Sequence, residues 1–102
     1  MSAPYHSRVV ELTGVPAARL RDAETLAGLL VAAAGAGGLP TDGAPLLRES
    51  QRGISLCLLC RDGHIVVHTL ADQGYCLIDL VTRSAEGLAK GIEVITRRLT
   101  RE

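Results

Sequence analysis

The sequence has almost no aromatic residues: Tyr5 and Tyr75 are the only two, and tryptophan and phenylalanine are absent. Without aromatic side chains to stack on bases, and with 11 basic residues balanced by 11 acidic ones, a nucleic-acid-binding groove is not expected. No apolar run approaches the roughly 20 residues of a membrane span, and the first residues do not resemble a signal peptide. We therefore expect a cytoplasmic protein that binds neither nucleic acid nor membranes.

The length of 102 residues predicts one domain, spanning 1–102. Apolar residues make up 47% of the chain, so its core must be built from leucine, isoleucine, valine and alanine. A domain of this size buries only a limited share of its surface. Because burial of a further face would add stability, we expect a homodimer.

Cysteine is scarce and its count is odd, with Cys57, Cys60 and Cys76 inside apolar runs. This pattern favours buried free thiols over disulfides. The CLLC segment has the spacing of a zinc or redox pair, but residues three apart in a strand point to opposite faces. We therefore predict no metal site.

The apolar patterns alternate between strand and helix periods. Strands are predicted at 8–13, 46–50, 54–60, 64–70 and 75–82, with helices after Asp22 and Ser84, which are suitable N-caps. The run at 54–60, which is apolar except for Ser55, is typical of a strand covered on both faces. Short connections favour antiparallel neighbours, so the expected fold class is α+β: a two-layer sandwich with an antiparallel sheet and two helices on one face.

Two histidines follow a predicted hairpin turn at Asp62-Gly63. Strand alternation places His64 and His68 on one face, about 13 Å apart, so they cannot chelate one ion unaided. Asp79, on the next strand, is a further candidate for a buried functional carboxylate. The sequence contains no phosphate loop or dinucleotide fingerprint.

The segment GISLCLLCRDGHIVVHTLADQGYCLIDLVT, residues 53–82, resembles the bacterial and archaeal S-adenosylmethionine decarboxylases that use a pyruvoyl group. The matching residues are Gly53, Ser55, His64, His68, Thr69, Gly74, Tyr75, Ile78, Asp79 and Thr82. The resemblance implies this family's sandwich fold. It also implies a dimer with active sites at the subunit interface, to which both chains contribute.

The departures from the family pattern concern its chemistry. The resembled proenzymes cleave themselves between a glutamate and a serine, and the serine becomes the pyruvoyl group; this sequence has Asp62 and Gly63 there. Glycine has no Oγ, so neither the ester nor the β-elimination can occur, and the pyruvoyl cofactor is predicted to be absent. The family's proton-donating cysteine aligns with Arg83, and an active-site acid aligns with Asp72.

Other site residues persist. His68 stands where the family uses a histidine in self-processing, and Ser55 stands in a supporting position. Their persistence has two open explanations: a retained ligand pocket, or a strand face whose polar groups hydrogen-bond to each other. The sequence thus predicts no catalytic residues. A degenerate site is expected at Asp62, Gly63, His68 and Arg83, with ligand-binding candidates Ser55, His64, His68, Asp72 and Tyr75.

Three functions follow as hypotheses. The first is a non-catalytic, unprocessed homologue that binds S-adenosylmethionine, a nucleoside or a polyamine, or regulates an active decarboxylase paralogue in polyamine metabolism. The second is an active S-adenosylmethionine decarboxylase of spermidine biosynthesis. It would need another pyruvoyl precursor, and the nearby Ser55 and Ser84 do not lie in the turn. The third is an unrelated small binding domain built on Asp79, His64 and His68.

Overall fold

The computed structural model describes residues 4–101 and contains five strands, three helices and one short 3-10 turn. In chain order these are β1 (His6–Leu12), α1 (Ala17–Leu20), α2 (Ala23–Ala36), β2 (Leu46–Glu49), β3 (Ile54–Cys60), β4 (Gly63–Leu70), the 3-10 turn (Ala71–Gln73), β5 (Tyr75–Thr82) and α3 (Ala85–Thr100).

The five strands form one sheet in the order β1-β5-β4-β3-β2, and every neighbouring pair is antiparallel. Strands β2 to β5 follow each other as a meander, while β1 lies beside β5 at the far edge. In this register His68 stands opposite Ser55 on β3 and opposite Leu77 on β5. The predicted α+β class with an antiparallel sheet is confirmed.

The core lies between one face of the sheet and the two long helices. Alternate residues of the central strands point into it, including Leu58, Ile65 and Ile78, which are fully buried. Leu30 of α2 and Ile95 of α3 are equally buried and belong to the same cluster. Alternation along the strands therefore decides which side of the sheet the helices cover.

The opposite side of the sheet, which we call the open face, has no helix over it in residues 4–101. The prediction that β3 is covered on both faces is wrong for the single chain: Leu59 remains 52% exposed. The reason is that α2 and α3 pack on the same side of the sheet, α2 against β3 and α3 against β5. The open face is formed by alternate strand residues, among them Val9, Leu46, Arg48, Ser55, Cys57, Leu59, His64, Val66, His68, Tyr75, Leu77, Asp79 and Val81.

Both predicted helix caps are present. The Asp22 carboxylate accepts a hydrogen bond from the backbone N–H of Thr25 at 3.1 Å, and the Ser84 hydroxyl accepts one from Gly87 at 2.9 Å. The hydrogen bonds from Thr25 hold the pKa of Asp22 below its usual value. The short helix α1 was not predicted, because its four residues are too few to show a helical period. Within the described residues, no helix combines the length and apolarity needed to span a bilayer.

Candidate functional site

Ser55 and His68 form a polar pair on the open face. They are cross-strand partners of β3 and β4, and the Ser55 Oγ lies 2.7 Å from the His68 Nδ1. Alternation places both side chains on the same side of the sheet, and the β3–β4 register brings them opposite each other. Two candidate ligand-binding residues of the sequence therefore meet in the structure.

A shallow groove of about 320 Å³ runs over this pair. Its apolar part includes Leu46, Cys57 and Val66, and its polar part consists of Arg48, Ser55 and His68. Arg48 on β2 is the cross-strand partner of Ser55, so the three polar residues lie in one row across β2, β3 and β4. Sequence reasoning missed Arg48, because its position depends on how β2 pairs with β3.

His64 and Asp79 form a second polar contact on the open face. The His64 Nε2 lies 3.4 Å from the Asp79 Oδ2, and both side chains are partly exposed. They are diagonal neighbours, since His64 stands opposite Val81 and Asp79 stands opposite Val66. A distance of 3.4 Å is long for a hydrogen bond. The contact is therefore looser than the Ser55–His68 pair.

Gly63 is the first residue of β4 rather than part of the turn, and the backbone of a neighbouring strand fills the space beside it. Because Cys60 and Gly63 are strand partners, the hairpin loop is Arg61-Asp62, one residue earlier than predicted. Asp62 takes the left-handed conformation, with φ 61°, which aspartate tolerates better than most residues. A Cβ atom at position 63 would lie 2.2 Å from the carbonyl oxygen of Val81. Close approach of β5 therefore requires glycine here.

Arg83 and Asp72 lie at different ends of the sheet. Arg83 directly follows β5, next to the Gly63 end, and its Nε donates to the Pro4 carbonyl oxygen at 3.4 Å. Asp72 lies in the 3-10 turn beyond the other end of β4 and forms an ion pair with Arg21. An eight-residue strand such as β4 is about 23 Å long. Within one chain, Asp72 is thus far from Gly63 and Arg83.

The Ser55–His68 pair is also separated from Gly63. Gly63 and His68 are five positions apart on β4, a distance of roughly 16 Å along the strand. Strand alternation also turns their side-chain directions to opposite faces of the sheet. The single chain therefore does not assemble the site residues of the sequence into one pocket.

Tyr75 points along the open face toward β1. Its hydroxyl donates a hydrogen bond to the Glu11 carboxylate. This hydrogen bond raises the pKa of Tyr75 above its ordinary value, because it holds the phenolic proton in place. Tyr75 is therefore engaged with the edge strand and not with Ser55 or His68.

Thr69, which belongs to the matching motif, has a structural position. Its side chain is buried, and its Oγ1 accepts a hydrogen bond from the Ile54 N–H at 2.8 Å. The same oxygen lies 3.3 Å from the carbonyl oxygens of Leu20 and Ile54, to which it can donate. Thr69 thus links β4 to β3 and to the end of α1.

The cysteines are free thiols in two different environments. Cys60 and Cys76 are buried on the helix side, and burial raises the pKa of both thiols, to about 11 for Cys76. Cys57 is only partly buried and lies on the open face. The predicted divergence of Cys57 and Cys60 is confirmed. Within residues 4–101, no three histidine, cysteine or acidic side chains converge as metal ligands.

Comparison with known proteins identifies a family and a solved structure with the same fold. The family model described as S-adenosylmethionine decarboxylase matches residues 6–102. The crystal structure of the adenosylmethionine decarboxylase from Aquifex aeolicus VF5 superposes with a TM-score of 0.83 at 22% sequence identity, covering 93% of this chain and 78% of that one. At this identity the likeness establishes the fold alone. A search of curated proteins returned no significant match.

Proposed function

Because the chain belongs to the S-adenosylmethionine decarboxylase family, we propose that it is an unprocessed, non-catalytic member that binds a ligand or regulates polyamine metabolism. One observation carries the proposal: the residue in the place of the pyruvoyl-forming serine is Gly63. A hydroxyl oxygen is the nucleophile of the self-cleavage and the leaving group of the elimination. A residue without that oxygen can undergo neither step.

The packing around Gly63 supports the same reading. The space that a side chain would need at this position is taken by the Val81 carbonyl oxygen, 2.2 Å from the Cβ position. The residues present therefore do not fit a pyruvoyl group, and no reaction step is assigned to one. A reversion to serine would have to displace the backbone of β5 as well as restore the hydroxyl.

The surroundings of Gly63 point in the same direction. Arg83 stands in the place of the family's proton-donating cysteine, and its side chain carries no thiol. Ser55 and His68, by contrast, keep a close hydrogen bond on the open face. We therefore assign the Ser55–His68 pair to ligand binding.

We extend the proposal to a homodimer that pairs through the open face. Val9 and Leu59 are apolar residues of this face, with exposed fractions of 61% and 52%. A second sheet packed on this face would bury them. An active decarboxylase paralogue with the same fold could occupy the same face.

The self-processing claim is tested by intact-mass spectrometry of the purified protein. We expect one uncleaved chain. Two fragments that separate between Asp62 and Gly63, the second with a blocked amino terminus, would overturn the proposal. Release of labelled carbon dioxide from S-adenosylmethionine would instead establish an active decarboxylase of spermidine biosynthesis.

The ligand-binding claim is tested by thermal unfolding with S-adenosylmethionine, its decarboxylated form and spermidine. A ligand specific for the folded state raises the melting temperature. Absence of a shift with all three would remove ligand binding and leave the regulatory role, which is tested by adding the protein to an active family member.

The assembly claim is tested by sedimentation of Leu59→Asp, with Val31→Asp as the matched control. Val31 is a similarly exposed apolar residue, 47% exposed, but lies on α2 away from the open face. We expect the first variant alone to be monomeric. Equal behaviour of the two variants would contradict pairing through the open face.

A further inference from the structure

We infer that the row formed by Arg48, Ser55 and His68 is a binding site for an oxyanion, a carboxylate or a phosphate monoester, attached to a short apolar chain. This inference deepens the proposed ligand-binding role by naming the ligand class. It also adds a residue, Arg48, that the family resemblance does not mark.

The first observation is the register. Arg48 pairs with Ser55, and Ser55 pairs with His68, so three polar side chains stand on adjacent strands at the same height of the open face. Neighbouring strands in a sheet are about 4.8 Å apart. The row therefore presents a guanidinium, a hydroxyl and an imidazole over roughly 10 Å, so that one small anion can contact adjacent members of the row.

The second observation is that the polar groups of the row have no acidic partner in the described part of the chain. Among residues 4–101, the ion pairs leave Arg48 without an acidic partner. Glu49, next along β2, belongs to the opposite side of the strand by alternation. Ser55 and His68 are held in place by their 2.7 Å hydrogen bond. An uncompensated guanidinium beside two fixed hydrogen-bonding groups is suited to bidentate binding of a carboxylate or phosphate.

The third observation is the apolar part of the groove. Leu46, Cys57 and Val66 continue from the polar row along β2, β3 and β4. The volume of about 320 Å³ is at the small end of the range for small-molecule sites. An anionic head on the row would place its attached chain over these residues. A polyamine, which is purely cationic, would meet Arg48 with like charge.

The test uses the intact protein and three probes of one chain length: hexanoate, hexyl phosphate and the neutral hexanamide. Ring resonances of the histidines are followed by NMR during each titration, and His6 and His64 serve as internal references. We expect hexanoate or hexyl phosphate to move the His68 resonances to saturation, and hexanamide not to. Comparison of the two anions distinguishes a carboxylate from a phosphate site.

Arg48→Met, which removes the charge and keeps an unbranched apolar stem, is expected to weaken anion binding at least tenfold. Arg48→Lys should retain part of the affinity. Arg8→Met is the matched control, because Arg8 is an exposed arginine on the other edge strand; it should bind as the unmodified protein does. Equal shifts with hexanamide, no saturable shift with either anion, or equal losses in Arg48→Met and Arg8→Met would overturn the inference. A cleaved, pyruvoyl-bearing chain would contradict the proposed function but would not affect the measured anion binding.

Discussion

The carbonyl oxygen of Val81 occupies the place of a side chain on Gly63. A Cβ atom there would be 2.2 Å from this oxygen, far inside van der Waals contact. The glycine is therefore needed for packing of β4 against β5 as well as being chemically unable to form a pyruvoyl group. The residue type at position 63 is consequently restricted by the backbone of β5.

Gly63→Ala should destabilise the protein by about 1–3 kcal/mol, because the added methyl group forces β4 and β5 apart. Urea unfolding measures this change. Gly28→Ala is the matched control: it lies in α2, and its Cβ would meet nothing within 4 Å. That variant should be neutral or up to about 1 kcal/mol more stable, since alanine is the better helix former. Equal stability of Gly63→Ala and the unmodified protein would refute the steric argument.

Gly63→Ser should likewise fail to decarboxylate S-adenosylmethionine efficiently, because the β5 backbone crowds the hydroxyl and, in the proposed function, Arg83 replaces the proton donor. The measurement is release of labelled carbon dioxide, together with intact mass to detect slow self-cleavage. Efficient turnover by this single variant would show that neither Arg83 nor the Val81 backbone prevents the reaction.

Thr69→Val should cost about 1–3 kcal/mol, since it leaves the buried N–H of Ile54 without its acceptor. Valine has nearly the same shape, so the loss reports the hydroxyl rather than a cavity. Thr69→Ser keeps the hydroxyl and should recover most of that loss. If chemical denaturation ranks the serine variant below the valine variant, the hydrogen bonds are not what holds Thr69 in place.

Thiol labelling at pH 8 of the Leu59→Asp variant, in which pairing through the open face is expected to be broken, should distinguish the three cysteines. Cys57, partly exposed on the open face, should react first, while Cys60 and Cys76 should stay unmodified until the protein unfolds. Burial both blocks the reagent and keeps these two thiols protonated, and the thiolate is the reactive form. Cys57→Ser should abolish the fast phase; persistence of that phase would contradict the assigned environments.

Stability should fall with rising pH in the alkaline range because of Cys76. Burial raises the pKa of this thiol from 9.0 to about 11, so the folded state keeps its proton after the unfolded state has lost it. The contribution is therefore complete below pH 9 and is lost as the pH rises toward 11. Two pKa units correspond to roughly 2.7 kcal/mol as an upper limit.

The measurement is the free energy of unfolding between pH 8 and pH 11 for the unmodified protein and for Cys76→Ala. The two proteins are compared by the slope of the unfolding free energy against pH. The packing energy lost with the sulfur does not depend on pH, so it does not affect this comparison. The alanine variant should lose less stability over this interval. Parallel profiles would show that Cys76 ionises equally in the folded and unfolded states.

Local patterns were enough to predict much of the fold. The alternation around His64 and His68, the caps at Asp22 and Ser84, and the strand sequence all depend on residues near each other in the chain. The same local rule correctly separated Cys57 from Cys60. The four-residue helix α1 escaped prediction because it contains a single turn and Pro16 at its N-cap makes no side-chain hydrogen bond.

The candidate site was harder to predict from the sequence, because it depends on the register between strands. The Ser55–His68 contact, the place of Arg48 and the approach of Val81 to Gly63 are each fixed by which residues stand opposite each other across strands. Pairing of this kind leaves no periodic signal in the sequence. The loop at Arg61-Asp62 was misplaced by one residue for a related reason: an Asp-Gly dipeptide is typical of turns, but here the glycine is required by a neighbouring strand.

The position of β1 has a consequence for folding. His6 pairs with Thr82, so the first strand of the chain closes against the last one, whereas β3, β4 and β5 join through short hairpins. Closing a long loop costs more entropy than closing a hairpin, and non-local pairing slows folding. Because β2, β3 and β4 lie between β1 and β5 in the sequence, β1 has no partner strand in the sheet until β5 has been synthesised.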